Sequence, residues 1–116
     1  MATILVADDN RGFAELVRAL LEDAGHHVVT SYSGLAAIAA VEQNDVHAAV
    51  LDVLIPGISG DAVAERLRAV SPHLPVLLMT GDTGDAFAVG ANLPVLRKPF
   101  RQEELVDAVR RLVPPE

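Results

Sequence analysis

Five side chains in this 116-residue sequence hold most of its chemical capacity. Asp8 and Asp9 close one apolar run, "ILVADD", and Asp52 closes another, "AAVLD". Thr80 ends "LLMT" and Lys98 follows "PVLR". Adjacent carboxylates beside a core repel each other and cost stability unless something cationic lies between them. Three acids in one place suit Mg²⁺, which takes one or two carboxylates and keeps several waters. A carboxylate next to such an ion is a competent nucleophile toward a phosphoryl group, forming an acyl phosphate. The transferred group then needs its oxygens neutralised, which a metal, an amine and a hydroxyl or amide donor would do.

Taken singly, each residue has a plainer explanation. Asp8 and Asp9 suit a loop that caps the following helix. Asp52 suits a turn before Pro56-Gly57. Thr80 suits a strand as a β-branched residue, and Lys98 suits a solvated position. Those explanations scatter the residues, whereas the elements that carry them predict one shared edge. The histidines at 26, 27, 47 and 73 lack metal-ligand spacing and read as surface or strand-end residues.

The elements alternate. Residues 3–7 read as a buried strand, and Asn10 can cap a helix with an apolar face of Phe13, Leu16, Val17, Leu20 and Leu21, stopped by Gly25. Residues 27–31 are strand-like, and Leu35, Ile38 and Ala39 mark a second helix. A third strand lies in "HAAVLDVLIP". Val63, Leu67 and Val70 mark a third helix, "PVLLMT" a fourth strand and "PVLRKPF" a fifth. Leu105, Ala108, Val109 and Leu112 mark a last helix before Pro114-Pro115. Apolar strands alternating with helices predict a parallel sheet covered on both faces. Such sheets place ligands beyond the carboxyl ends of their strands, where all five side chains fall.

Composition narrows the field. The length suits one domain, and 51% hydrophobic residues suit a globular chain. Without cysteine there is no thiolate ligand or nucleophile. No signal peptide is expected from the opening residues, and no apolar run approaches the roughly 20 residues of a membrane span, so the expected location is cytoplasmic. A formal charge of −7 speaks against direct contact with nucleic acid.

The acidic pair, "LDVLIPGISG" around Asp52, "LLMTGD" with Thr80 and "LRKPF" with Lys98 together resemble the receiver domain of two-component response regulators. The resemblance covers essentially all of residues 1–116, as one domain. It implies a flavodoxin-like (βα)5 three-layer sandwich with strand order 2-1-3-4-5. It also implies a phosphorylation-dependent switch in which Asp52 accepts a phosphoryl group from a histidine kinase or histidine phosphotransfer protein. Asp9, Asp52 and the carbonyl of Leu54 would bind Mg²⁺, with Asp8 acting through water. Lys98 would pair with the phosphoryl oxygens, Thr80 and the Gly81 amide would receive one of them, and Pro99 resembles the family's cis-proline. The apolar Leu54 and the polar Asp82 would act in opposite directions on hydrolysis, with slow autodephosphorylation expected.

Two features depart from the family pattern. Val95 stands where Tyr or Phe is usual, and Gly84 and Gly90 shorten or distort the expected fourth helix. The second also resembles receivers attached to hybrid histidine kinases. Both departures fall on the face many receivers use to dimerise, so the domain is expected to be monomeric. Two other functions compete. A Mg²⁺-dependent phosphatase with an aspartate nucleophile would need a second acid at position 54, which is leucine. A receiver that binds partners without phosphorylation would not need the intact set of acids, threonine and lysine. The expected protein is therefore a switch and not an enzyme.

Overall fold

A computed structural model describes residues 2–55, 58–81 and 93–113, with the backbone alone at 54–55 and 58–61. Its strands are β1 (Thr3–Ala7), β2 (His27–Ser31), β3 (Ala48–Asp52), β4 (Val76–Thr80) and β5 (Val95–Arg97). The described helices are α1 (Arg11–Asp23), α2 (Gly34–Gln43), α3 (Gly60–Val70) and α4 (Gln102–Leu112). The strands form a parallel sheet in the order β2-β1-β3-β4-β5. This is the expected flavodoxin-like order. A short antiparallel pair, Leu54–Ile55 with Ile58–Ser59, follows β3.

Period-two alternation splits the core between the two faces of the sheet. Leu5, Leu51 and Leu78 pack with Ala37, Ala40, Val63 and Leu67 from α2 and α3. Ile4, Val6, Val50 and Met79 pack with Val17, Leu21, Leu105 and Val109 from α1 and α4. β3 and β4 are buried along their whole length, whereas β5 has exposed residues at both ends, as suits an edge strand.

Local signals set the helix ends. Asn10 accepts the Phe13 N–H at 3.0 Å and Ser33 accepts the Ala36 N–H at 3.1 Å, each satisfying an orphan donor. Gly25 follows α1 at φ 98°, a conformation open to glycine at little cost. The Glu104 carboxylate accepts the Arg101 N–H at 2.9 Å ahead of α4. The expected fourth helix between residues 82 and 92, with Asp82, Gly84 and Gly90, lies outside the described residues. So do Pro56, Gly57 and the Pro114-Pro115 stop.

Leu16, expected on the buried face of α1, is 52% exposed; Leu35 and Val70 lie in α2 and α3 as expected, but Leu35 is 73% exposed and Val70 is exposed too. The buried stripe of α2 is Ala37, Ala40 and Val41, spaced as a helix face requires. Small residues let this helix lie close to its neighbours, and hydropathy alone ranks a leucine above an alanine whatever its direction.

The histidines differ from one another more than their spacing suggests. His47 Nδ1 accepts the Thr3 N–H at 2.9 Å. His26 Nδ1 is buried without a hydrogen-bond partner. Burial pushes the His26 pKa below its ordinary 6.5, and the positive amino terminus and Arg110 push it the same way. A depressed histidine leaves stability intact above its unfolded pKa. Below it the unfolded chain takes up the proton first, and stability falls until the folded group also protonates. Wild type should therefore lose more melting temperature than His26→Gln on going from about pH 7.5 to about pH 5.5. Equal losses would clear His26 of this role.

Candidate functional site

Strand register brings the acids together. Ala7 lies opposite Leu51 across the β1–β3 pair, so one further step along each strand brings Asp8 beside Asp52. Asp52 in turn faces Met79, and Thr80 faces Arg97, which places Thr80 and Lys98 on the same edge. The Lys98 N–H donates to the Thr80 carbonyl at 2.7 Å, extending the β4–β5 pairing to the lysine itself. The Lys98–Pro99 bond is cis.

Asp8 is fully buried and held on three sides. Its N–H donates to the Ser31 carbonyl at 3.1 Å. Its Oδ1 accepts the Asn10 N–H at 2.9 Å, and its Oδ2 lies 3.2 Å from Lys98 Nζ. Asp52 is 8% exposed, and its Oδ2 lies 3.4 Å from the same ammonium. Asp9 is exposed beside them, and Thr80 is buried. Lys98 is thus the cation shared by Asp8 and Asp52, while Asp9 lies outside both ion pairs. The lysine offsets the two shielded carboxylates where the local dielectric makes their repulsion strongest.

The donor set fits a small hard cation. One carboxylate oxygen from each of Asp8, Asp9 and Asp52 lies within 4.8 Å of the others. Oxygens sharing one Mg²⁺ stand about 3 to 4 Å apart, given a metal–oxygen distance of about 2.1 Å, so adjustments of about an ångström would close the set. All-oxygen donors also match that metal's preference over softer ions. The side chains at 54–61, including Leu54, lie outside the described side chains.

Phe13 has a place at this edge that its role in an apolar helix face did not foretell. Its ring centroid lies 4.3 Å from Lys98 Nζ, and it meets the Phe100 ring at 5.7 Å and 74°. The only signal for it in the sequence is its position in the first turn of the helix that follows the acids. Asn10 likewise does two jobs, capping α1 with its side chain and donating its N–H to Asp8.

A family model described as the response regulator receiver domain matches residues 4–110. The chain is 42% identical over 113 residues to the transcriptional regulatory protein TcrA of Mycobacterium tuberculosis, covering 94% of this chain and 44% of that one. It is 37% identical to the probable transcriptional regulatory protein TcrX of the same organism, covering 96% of this chain and 49% of that protein. The chain therefore spans about half the length of these curated relatives. A putative response regulator from Chloroflexus aurantiacus superposes with a TM-score of 0.84 at 36% identity, over 96% of each chain. The chemotaxis protein CheY4 of Vibrio cholerae superposes with a TM-score of 0.86 at 30% identity, over 97% of this chain and 99% of that one.

Proposed function

The chain belongs to the response regulator receiver family, the phospho-accepting switches of two-component signalling, and from that premise we propose that Asp52 is its phosphoacceptor. The observation that carries this reading is the Lys98 ammonium set between Asp8 and Asp52 at the carboxyl edge of the sheet. Receivers take their phosphoryl group from histidine kinases. In this reading an Asp52 oxygen attacks the phosphorus of a phosphohistidine, the P–N bond breaks, and the imidazole leaves with the bonding pair and takes up a proton. Lys98, already 3.4 Å from Asp52, turns its charge to the new phosphoryl oxygens. The Thr80 hydroxyl and the Gly81 N–H supply further donors at the same edge. Asp8, Asp9, Asp52 and the Leu54 carbonyl would hold Mg²⁺, whose charge would neutralise the oxygens of the transferred group.

The phosphate donor would dock around residues 13–21 of α1 and the loop after Asp52, the surfaces flanking that edge. A helix of a histidine phosphotransfer protein suits such a surface as well as a kinase does. Among the described residues no helix is long and apolar enough to cross a membrane, and a cytoplasmic location accords with the signalling role. With its negative charge the domain would not itself grip nucleic acid.

Incubation with a small acyl phosphate and Mg²⁺ separates the candidate functions. Stoichiometric label on Asp52 is the expected result. Sustained turnover of the phosphodonor would favour a phosphatase, and no label would favour a binding module independent of phosphorylation.

The isolated domain is further expected to stay monomeric with and without a phosphoryl mimic. Val95 on β5 is 40% exposed and offers no ring to couple the site to the β5–α4 face. Sedimentation checks this, and a dimer that forms only with the mimic would contradict it.

A further inference from the structure

We infer that Phe13 is a positioning residue for Lys98, its ring forming the third wall of the seat that holds the ammonium between Asp8 and Asp52. The inference rests on the reading of Asp52 as phosphoacceptor. A lysine head sits on a flexible four-carbon stem, so holding it in one place costs side-chain entropy. Here two walls of the seat are carboxylates, at 3.2 and 3.4 Å. Those are the same groups that a metal and a phosphoryl group would engage. Once they are engaged, the lysine loses its hold on them.

The ring is different. An aromatic face attracts an ammonium within about 6 Å of its centroid, and it cannot be recruited as a ligand by a hard cation. The Phe13 centroid is 4.3 Å from Lys98 Nζ, so this wall remains when the carboxylates turn elsewhere. The ring is itself held in place. The Phe13 backbone N–H donates to Asn10 Oδ1 at 3.0 Å, which fixes the start of the helix that carries it, and the ring meets Phe100 edge to face. Phe100 lies two residues beyond Lys98, so one short segment carries both the lysine and the ring that steadies its seat. Among the described residues Phe13 thus joins the ammonium on one side to the Phe100 ring on the other.

The test compares wild type, Phe13→Leu, Phe13→Tyr and a protein with pentafluorophenylalanine at position 13. The last keeps the size of the ring but reverses the charge of its face. Two quantities are read: the NMR shifts of the Lys98 ε-methylene, and the rate at which a small acyl phosphate labels Asp52. Wild type and Phe13→Tyr should show the ε-methylene displaced upfield by the ring current. Phe13→Leu should lose that displacement and label about three- to fivefold more slowly, and Phe13→Tyr should label near the wild-type rate. The fluorinated protein should also label slowly although its packing is conserved, which separates the charge of the ring face from loss of fold. Wild-type labelling by the fluorinated protein, or ε-methylene shifts unchanged by Phe13→Leu, would overturn the inference. A wild-type protein that takes no label would overturn the phosphoacceptor reading instead, while the shifts would still decide whether the ring seats the lysine.

Discussion

Asp52→Asn is expected to abolish Mg²⁺-dependent binding of a beryllofluoride mimic, with a loss of at least about 100-fold, or nearly 3 kcal/mol. The mimic bonds to the carboxylate oxygen that would otherwise attack phosphorus, and an amide offers that electrophile far less negative charge. The same change removes one of three acids from the metal set, so both halves of the complex are lost together. The fold should survive it. Lys98 keeps Asp8 at 3.2 Å, and the amide can still accept a hydrogen bond where the carboxylate stood. Fluorine NMR of the bound mimic, with circular dichroism as a check on folding, measures both effects. Mimic binding retained by folded Asp52→Asn would remove Asp52 from the phosphoacceptor role.

Millimolar Mg²⁺ should raise the melting temperature of the wild-type domain, because the ion binds the folded state and not the unfolded chain. At ten times its dissociation constant the ion would add about 1.4 kcal/mol, which corresponds to roughly 4 to 8 °C in a domain of this size. Asp9→Ala should lose most of that response while changing the metal-free protein little, since Asp9 is exposed and lies outside the lysine's two ion pairs. Lys98→Met should do the opposite. It leaves a fully buried Asp8 and a nearly buried Asp52 without their shared cation, and should cost about 1 to 3 kcal/mol, a figure reduced because the lysine is itself partly open to water. Its response to Mg²⁺ should then exceed that of wild type, as the metal takes over the neutralising charge. Thermal unfolding across a Mg²⁺ titration reads all three proteins. A wild-type melting temperature that saturating Mg²⁺ leaves unchanged would contradict a metal site among these carboxylates.

The sequence alone determined the order of elements and which edge of the sheet would be polar. Strand residues from Ile4 to Ala7, from Ala48 to Leu51 and from Val76 to Met79 are apolar throughout, so both faces had to be covered and the sheet had to be parallel. Each run ends in a polar or charged residue, and parallel strands bring their ends together. Asp8, Asp52, Thr80 and Lys98 are therefore legible as one group in the sequence itself. So are the cap at Asn10 and the stop at Gly25, because these depend on a few neighbouring residues and local geometry.

What needed the tertiary structure was direction. Leu16 and Leu35 count as apolar in any periodicity, but the side a helix buries depends on how it leans against the sheet, and α2 buries alanines in place of Leu35. Only the packed fold shows that Lys98 meets Asp8 and Asp52 together, across separations of 90 and 46 residues. Only the fold brings the Phe13 ring over the same ammonium, from a helix that precedes the lysine by most of the chain. It likewise closes His26 Nδ1 off from any partner. Periodicity reports which residues prefer to leave water, whereas the partner each polar atom finds is set by register and packing between elements far apart in sequence.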